Sequence, residues 1–123
     1  MSMKRIRLEL ARCPGYPDGN RRCGYEFGAP LSTEGRLDPE EWRSHRKACT
    51  VRRFWEGEDE QHGHLVHVGQ SWRFHYDKHD PDEDEPLYKL DRHVIREGEY
   101  LSITEQDGTT YPFKVVRLTE PVR

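Results

Sequence analysis

The chain of 123 residues carries 20 Lys and Arg against 23 Asp and Glu, a net charge of −3; 35% of its residues are charged and 33% hydrophobic. This length predicts a single domain over residues 1–123, since one domain takes about 100–200 residues, and it excludes a multidomain enzyme with separate cofactor and substrate lobes. The longest uncharged apolar runs are a few residues, against the roughly 20 that a membrane-crossing helix needs, which excludes such a helix.

The first half of the chain predicts two strands and one helix. Residues 4–12 alternate between apolar and polar side chains, which indicates a strand with one face in water. A loop of turn-forming residues follows at 13–20, and residues 23–27 predict a second short strand. Asp38 is the predicted N-cap of a helix that begins at the following Pro and fades near Lys47.

A hairpin is predicted in the middle of the chain, between strands at 65–68 and 72–76. A three-residue loop places Val66 opposite Phe74 and gathers apolar side chains of both strands on one face. A two-residue loop places Val66 opposite Arg73 and divides that core, because a slip of one residue reverses the faces. The sequence therefore predicts the three-residue loop.

The end of the chain predicts another hairpin, between strands at 99–105 and 109–118. Gly108 supplies the left-handed residue of a three-residue loop. This register pairs Ile103 with Tyr111, so that apolar side chains face each other across the two strands.

Two further strands are predicted at 49–55 and 88–95, the second after an acidic loop at 77–86. Short strands in this number, with one capped helix, are typical of closed or rolled antiparallel sheets. The sequence thus predicts a mainly β fold: a small antiparallel barrel or rolled sheet of about six to seven strands with one short helix.

Strand-like segments with a common spacing lie at residues 21–27, 51–55, 98–103 and 113–116, with Asp-Gly at 107–108. They resemble a family of short, uncharacterised bacterial proteins, and the resemblance covers most of the chain. It implies a bacterial cytosolic origin and brings no activity, ligand or catalytic residue. The odd number of Cys favours a reducing compartment, and the first residues lack the apolar stretch of a secretory signal, so we expect a cytoplasmic protein.

Histidines in the middle of the chain form the best candidate for a metal site. In the predicted hairpin, His67 and His75 share the face opposite the aromatic core on a diagonal, about 7–8 Å apart at the backbone. Asp77 continues that face as a third ligand, and imidazole with carboxylate suits a divalent transition metal such as Zn, Ni, Mn or Fe. Arg73 lies between them and repels a cation, so the alternative is a polar outer face without metal.

Two other residue sets are candidate metal ligands. Three cysteines could join a His at zinc: Cys13, Cys23 and Cys49. They lack the short Cys pairs that structural zinc sites use, so the alternative is three reduced thiols. Four aspartates are spaced as in a calcium loop: Asp80, Asp82, Asp84 and Asp91. Glu85 stands where that loop needs Gly, so the alternative is a solvated acidic loop.

A basic and aromatic face is the candidate nucleic-acid or partner surface. Arg52 and Phe54 share one face of the strand at 49–55. The end of the predicted helix adds three basic residues: Arg43, Arg46 and Lys47. Arg contacts to phosphate beside an aromatic stacking platform are typical of small barrels that bind single strands.

The opposite face of the same strand carries Arg53. If that face is core, Arg53 needs a buried carboxylate partner, for instance Glu26 or Glu99. Phe54 is then half-exposed beside Arg52.

Three functions remain open from the sequence. The common phosphate-loop, nucleophile-elbow and zinc-protease motifs are absent, and no catalytic residue is predicted. This favours a non-enzymatic binding or interaction module, which uses a barrel face or a sheet edge at 4–12 or 109–118 on a protein partner or a second copy. The alternatives are a nucleic-acid-binding barrel and a His-ligated metalloprotein. No membrane partner and no organic cofactor are predicted.

Overall fold

The computed structural model describes residues 2–77, 85–87, 94–105 and 107–120. Most of the acidic loop, the predicted strand at 88–95 apart from its last two residues, and the four candidate calcium ligands lie outside the described residues. Within the described ranges, no helix is long and apolar enough to cross a membrane.

Antiparallel strands dominate the described part of the chain. In chain order the elements are β1 (Ser2–Leu10), β2 (Asn20–Leu31), α1 (Pro39–Ser44), a 3₁₀ turn (Arg46–Ala48), β3 (Thr50–Phe54), β4 (Gln61–Val68), β5 (Ser71–Tyr76), β6 (Glu85–Leu87), β7 (Tyr100–Thr104) and β8 (Thr110–Thr119). Each strand pairs with the next, and β1 also pairs with β8, which closes the sheet into a barrel. Between β6 and β7, the described residues form the pair Leu87–Ile103. The predicted mainly β antiparallel barrel is confirmed, with eight strands among the described residues.

Helix α1 is capped as predicted and covers one end of the barrel. The Asp38 carboxylate accepts hydrogen bonds from two backbone N–H groups of the first turn, at 3.0 and 3.1 Å. The α-helix ends at Ser44, earlier than predicted, because the N–H of His45 bonds to the carbonyl three residues before it and the chain tightens into the 3₁₀ turn. The buried Trp42 donates its indole N–H to the Leu65 carbonyl at 2.8 Å, which attaches the helix to β4.

The two hairpins give opposite outcomes for the predicted registers. In the final hairpin Ile103 pairs with Tyr111 as predicted, and Gly108 has a φ of 86°. In the middle hairpin Val68 pairs with Ser71, so the loop has two residues and the predicted three-residue loop is wrong. Gly69, with a φ of 62°, supplies the positive φ that two-residue hairpin turns require.

Packing explains why the middle hairpin adopts the shorter loop. Leu65 is the residue that β4 places in the core, 1% exposed and opposite Phe74. Val68 is 56% exposed and Val66 lies opposite Arg73 on the outer face. Leu65 therefore takes the core position of β4, whereas Val66 is half-buried against the core and Val68 lies in solvent.

Aromatic side chains fill the barrel interior. The ring of Phe74 lies 5.0 Å from that of Tyr25 and 5.1 Å from that of Phe27, and Phe113 also packs on Tyr25 at 5.1 Å. We call the end of the barrel opposite α1 the mouth. Strands β3 and β7 end there, and strands β4 and β8 begin there. The loop between β1 and β2 lies over this end, because Tyr16 contacts side chains from β8 and from the residue after β3.

Candidate functional site

A cavity of about 210 Å³ opens at the mouth of the barrel. Its walls come from five chain segments and combine aromatic and charged side chains: Tyr16, Arg53, Trp55, Glu58, Gln61, Glu105, Asp107 and Tyr111. Strand alternation brings two of these groups inward. Arg53 follows Val51 on the inner face of β3, and Glu105, the residue after β7, continues the inward alternation of Leu101 and Ile103.

A buried ion pair forms the floor of this cavity. Two N–H groups of the Arg53 guanidinium donate to one oxygen of Glu105, Nη2 at 2.7 Å and Nε at 3.1 Å. The Tyr25 hydroxyl donates to the other oxygen, and Nη1 of Arg53 donates to Glu58 at 3.0 Å. Arg53 is 7% exposed and Glu105 6%, whereas the Glu58 side chain is 55% exposed. One carboxylate of the floor is thus fully engaged, and the other reaches into solvent.

The sequence left the burial of Arg53 open and suggested Glu26 or Glu99 as its partner. The structure buries Arg53 and pairs it with Glu105 instead. Glu26 is unsuitable because it lies on the outer face of β2, where it accepts a hydrogen bond from Arg52. Glu99 precedes β7 and is exposed.

Glu105 has an unusual pKa for a carboxyl group. Burial raises its pKa to about 8, and the like charge of Asp107 acts in the same direction. The opposite charge of Arg53 acts against this rise, since it favours the carboxylate. A carboxyl that changes charge near neutral pH, in a cavity, is the kind of group that marks functional sites.

Three half-buried aromatic rings surround the cavity above the ion pair. The ring of Trp55 lies 6.5 Å from Tyr16 and 5.8 Å from Tyr111, and Tyr16 lies 6.3 Å from Tyr111. The Arg53 guanidinium lies 4.7 Å from the centre of the Trp55 ring. Burial, and next the charge of Asp107, raise the pKa of Tyr111. The rings offer flat apolar walls in a negatively charged setting.

The predicted nucleic-acid surface is occupied by contacts within the protein. Arg52 donates to Glu26 and to Glu60, both at 2.6 Å. Phe54 is only 9% exposed, and the guanidinium groups of Arg7 and Arg52 lie 4.5 and 4.9 Å from its ring centre. The expected half-exposed Phe54 is therefore wrong, because two arginines held by outer-face carboxylates cover its ring.

The basic residues after Trp42 lie at the other end of the barrel from the mouth. Arg43 lies on α1, and Arg46 and Lys47 lie on the 3₁₀ turn, all with exposed side chains. Arg46 is directed over the Trp42 ring at 5.7 Å. Arg52, in contrast, is held on the side wall of the barrel.

The structure does not bring His67 and His75 together. In the observed register His67 lies opposite Trp72 on the inner face, stacked on its ring at 4.2 Å, whereas His75 lies opposite His64 on the outer face. Asp77 is near His64, with 3.6 Å between Oδ1 and Nδ1. The predicted shared face of His67 and His75 is wrong because the hairpin is shifted by one residue. Within the described residues, no three His, Cys, Asp or Glu side chains are grouped as metal ligands.

The cysteines are free thiols, two of them in the core. Cys23 and Cys49 are buried and Cys13 is half-buried. Burial raises the pKa of the Cys49 thiol to about 11 and also raises that of Cys23. Thiols with raised pKa values are poor nucleophiles, since the thiolate is the reactive form.

The predicted sheet edges at 4–12 and 109–118 are not edges. Strand β1 pairs with β2 on one side and β8 on the other, and β8 pairs with β1 and β7. Barrel closure thus removes the unpaired backbone groups that strand addition requires.

Sequence reasoning missed the mouth as a site. The one signal in the chain was Glu105, a charged residue two positions beyond Ile103 on the inner face of a predicted strand. Such a residue needs a cationic partner inside the barrel, and Arg53 needs a carboxylate if its face of the strand is core. The aromatic rings carry no such signal, because only the fold shows that they surround a cavity.

Comparison with protein families, with curated proteins and with solved structures found no match. The resemblance to short bacterial proteins therefore stays a prediction.

Proposed function

We propose that this protein is a non-enzymatic binding module that takes up a small chemical group in the cavity at its barrel mouth. The observation that carries the proposal is the set of three half-buried rings, Tyr16, Trp55 and Tyr111, around a cavity floored by the Arg53–Glu105 pair. Binding sites for small groups combine apolar and aromatic walls with a few fixed polar groups, and they occur in the mouths of β-barrels.

The buried ion pair supports binding better than a purely structural role. A buried ion pair stabilises a fold little, or less than apolar side chains of similar volume do. An apolar plug in place of Arg53 and Glu105 would serve a barrel whose end only had to be closed. Recognition of a polar partner accounts for a charged floor that Tyr25 and Glu58 hold in place.

Binding is also favoured over catalysis by the state of the polar groups. Both oxygens of Glu105 accept hydrogen bonds from the protein, so neither oxygen is free to act as a base for a substrate. The two core thiols have raised pKa values and lie below the protein surface.

A fragment library screened by NMR chemical shifts tests the proposal. The expected result is that at least one class of fragment shifts the signals of Tyr16, Trp55 and Tyr111. Tyr16→Ala should abolish that binding, and Tyr100→Ala is the matched control, because Tyr100 is 55% exposed and lies outside the mouth. Fragments that bind equally well to both variants, or only to other surfaces, would overturn the proposal.

A further inference from the structure

The charge lining the mouth is unbalanced. Three carboxyl groups, Glu58, Glu105 and Asp107, face one cation, Arg53, which gives 1 − 3 = −2 when all are ionised. When Glu105 is protonated, the net charge of these four side chains is 1 − 2 = −1. Negative charge is thus in excess in either state, and the Asp107 and Glu58 side chains are both exposed to solvent.

The rings provide the second, independent property that a cation requires. Aromatic faces attract cations through the ring quadrupole, and Trp provides the strongest attraction of this kind. The Trp55 ring already carries a guanidinium 4.7 Å from its centre. Tyr16 stands edge-on to Trp55, with 88° between the ring planes, so the rings form walls at right angles.

The size of the cavity limits what enters. Sites for drug-sized ligands are about 300–1,000 Å³, and the mouth is smaller, at about 210 Å³. It accommodates a head group, with the rest of the ligand in solvent.

Building on the proposed function, we infer that the group accepted at the mouth is an organic cation, an alkylammonium or guanidinium head held between Trp55, Tyr16 and Tyr111 and neutralised by Asp107 and Glu58. Such a head is carried either by a free small amine or by a basic side chain of a protein partner. Both sources present the same chemistry to the cavity.

Isothermal titration of the full chain with isosteric probes tests the charge requirement. The probes are choline and dimethylbutanol, its neutral carbon analogue, together with butylammonium and butyrate. We expect binding of choline and butylammonium and none of the neutral or anionic probes. Binding should weaken as NaCl is raised from about 0.01 M to about 1 M, because the Debye length falls from about 30 Å to about 3 Å.

Matched variants place the cation in the mouth. Asp107→Asn removes the charge but keeps an oxygen that can accept from the Thr109 N–H, as Asp107 does at 2.8 Å, and it should weaken choline binding about fivefold. Trp55→Leu should weaken it about two- to fivefold. Glu34→Gln makes the same change of charge in the loop after β2, at the opposite end of the barrel, and should leave choline affinity unchanged.

A peptide pair distinguishes the two sources of the cation. A short peptide with one Lys is compared with the same peptide carrying norleucine there. Affinity for the Lys peptide at least about tenfold above that for choline identifies a basic side chain of a partner; equal affinity identifies a free amine.

Failure of this inference differs from failure of the proposed function. If dimethylbutanol binds the mouth as tightly as choline, the cation requirement is wrong and the binding module stands. If choline, butylammonium and the Lys peptide all leave the mouth signals unshifted, the inference is overturned, and the fragment screen decides the proposed function alone.

Discussion

Arg53→Met should destabilise the barrel strongly, because it leaves Glu105 without its cationic partner in the interior. Both side chains are below 10% exposure, so solvent screens their interaction little. Where Glu105 is ionised, above its folded-state pKa of about 8, removing its partner costs about 3–5 kcal/mol of unfolding free energy. Met fills a volume similar to the Arg stem, so the loss reports the uncompensated carboxyl rather than a void.

The pH dependence of this loss has a definite sign. The pKa of Glu105 is raised from 4.5 to about 8 in the folded chain. Loss of the opposite charge of Arg53 disfavours the carboxylate and should raise this pKa further. A carboxyl of this kind favours the folded state most below pH 4.5, and the benefit disappears as pH rises through the folded-state pKa. The difference in unfolding free energy between Arg53→Met and the wild type should therefore be small near pH 5 and largest above pH 8.

Urea unfolding followed by Trp fluorescence measures both effects. A double variant, Arg53→Met with Glu105→Met, is the control: it removes both charges and should recover most of the stability that the single change loses. A stability difference between the single variant and the wild type that is no larger at about pH 10 than at pH 5 would refute the description of a coupled buried pair.

The remaining predictions concern the hairpin register and the outer face. Leu65→Ala should lower the free energy of unfolding in urea by about 2–5 kcal/mol, and Val68→Ala by less than about 0.5 kcal/mol. The reverse order would favour the register with the three-residue loop. Arg52→Gln should lower the free energy of unfolding by about 1 kcal/mol, because it loses the contacts to Glu26 and Phe54 and partial exposure reduces their strength. The control Arg43→Gln changes an exposed side chain and should alter the free energy of unfolding by less than about 0.5 kcal/mol. Equal effects of the two changes would contradict the outer-face network. Partial burial alone would raise the pKa of Glu26, but Arg52 and Arg7 lower it on balance, so its contribution to stability is present above pH 4.5 and is lost as pH falls through the lowered pKa. The melting temperature should fall more steeply between pH 7 and pH 3 in the wild type than in Glu26→Gln. Parallel curves of melting temperature against pH would exclude this linkage.

Elements with local signals were predicted correctly. The cap at Asp38 depends on a carboxylate that reaches N–H groups two and three residues ahead, so the sequence contains all its parts. The final hairpin is similar, because Gly108 sets the loop and the apolar residues of both strands agree with only one register.

The middle hairpin shows where local signals end. Both loop lengths place apolar residues on a common face, one with Val66 and one with Leu65, and Gly69 permits the shorter loop. The choice is made by the rest of the barrel, since Trp42 from α1 packs on Trp72 and bonds to Leu65. Because the register differs by one residue from the predicted one, His67 and His75 lie on opposite faces, and the geometry of the predicted metal site is absent.

The sequence by itself determined the mainly β class, the capped helix and the requirement that Arg53, if buried, meets a carboxylate, because alternation, capping and charge burial are properties of neighbouring residues and of single side chains. Only the tertiary structure decided which carboxylate meets Arg53, that Arg52 and Phe54 are covered, and that Tyr16, Trp55 and Tyr111 surround one cavity. These facts depend on how strands distant in the chain are ordered and aligned around a closed barrel, and that order comes from packing the whole interior at once.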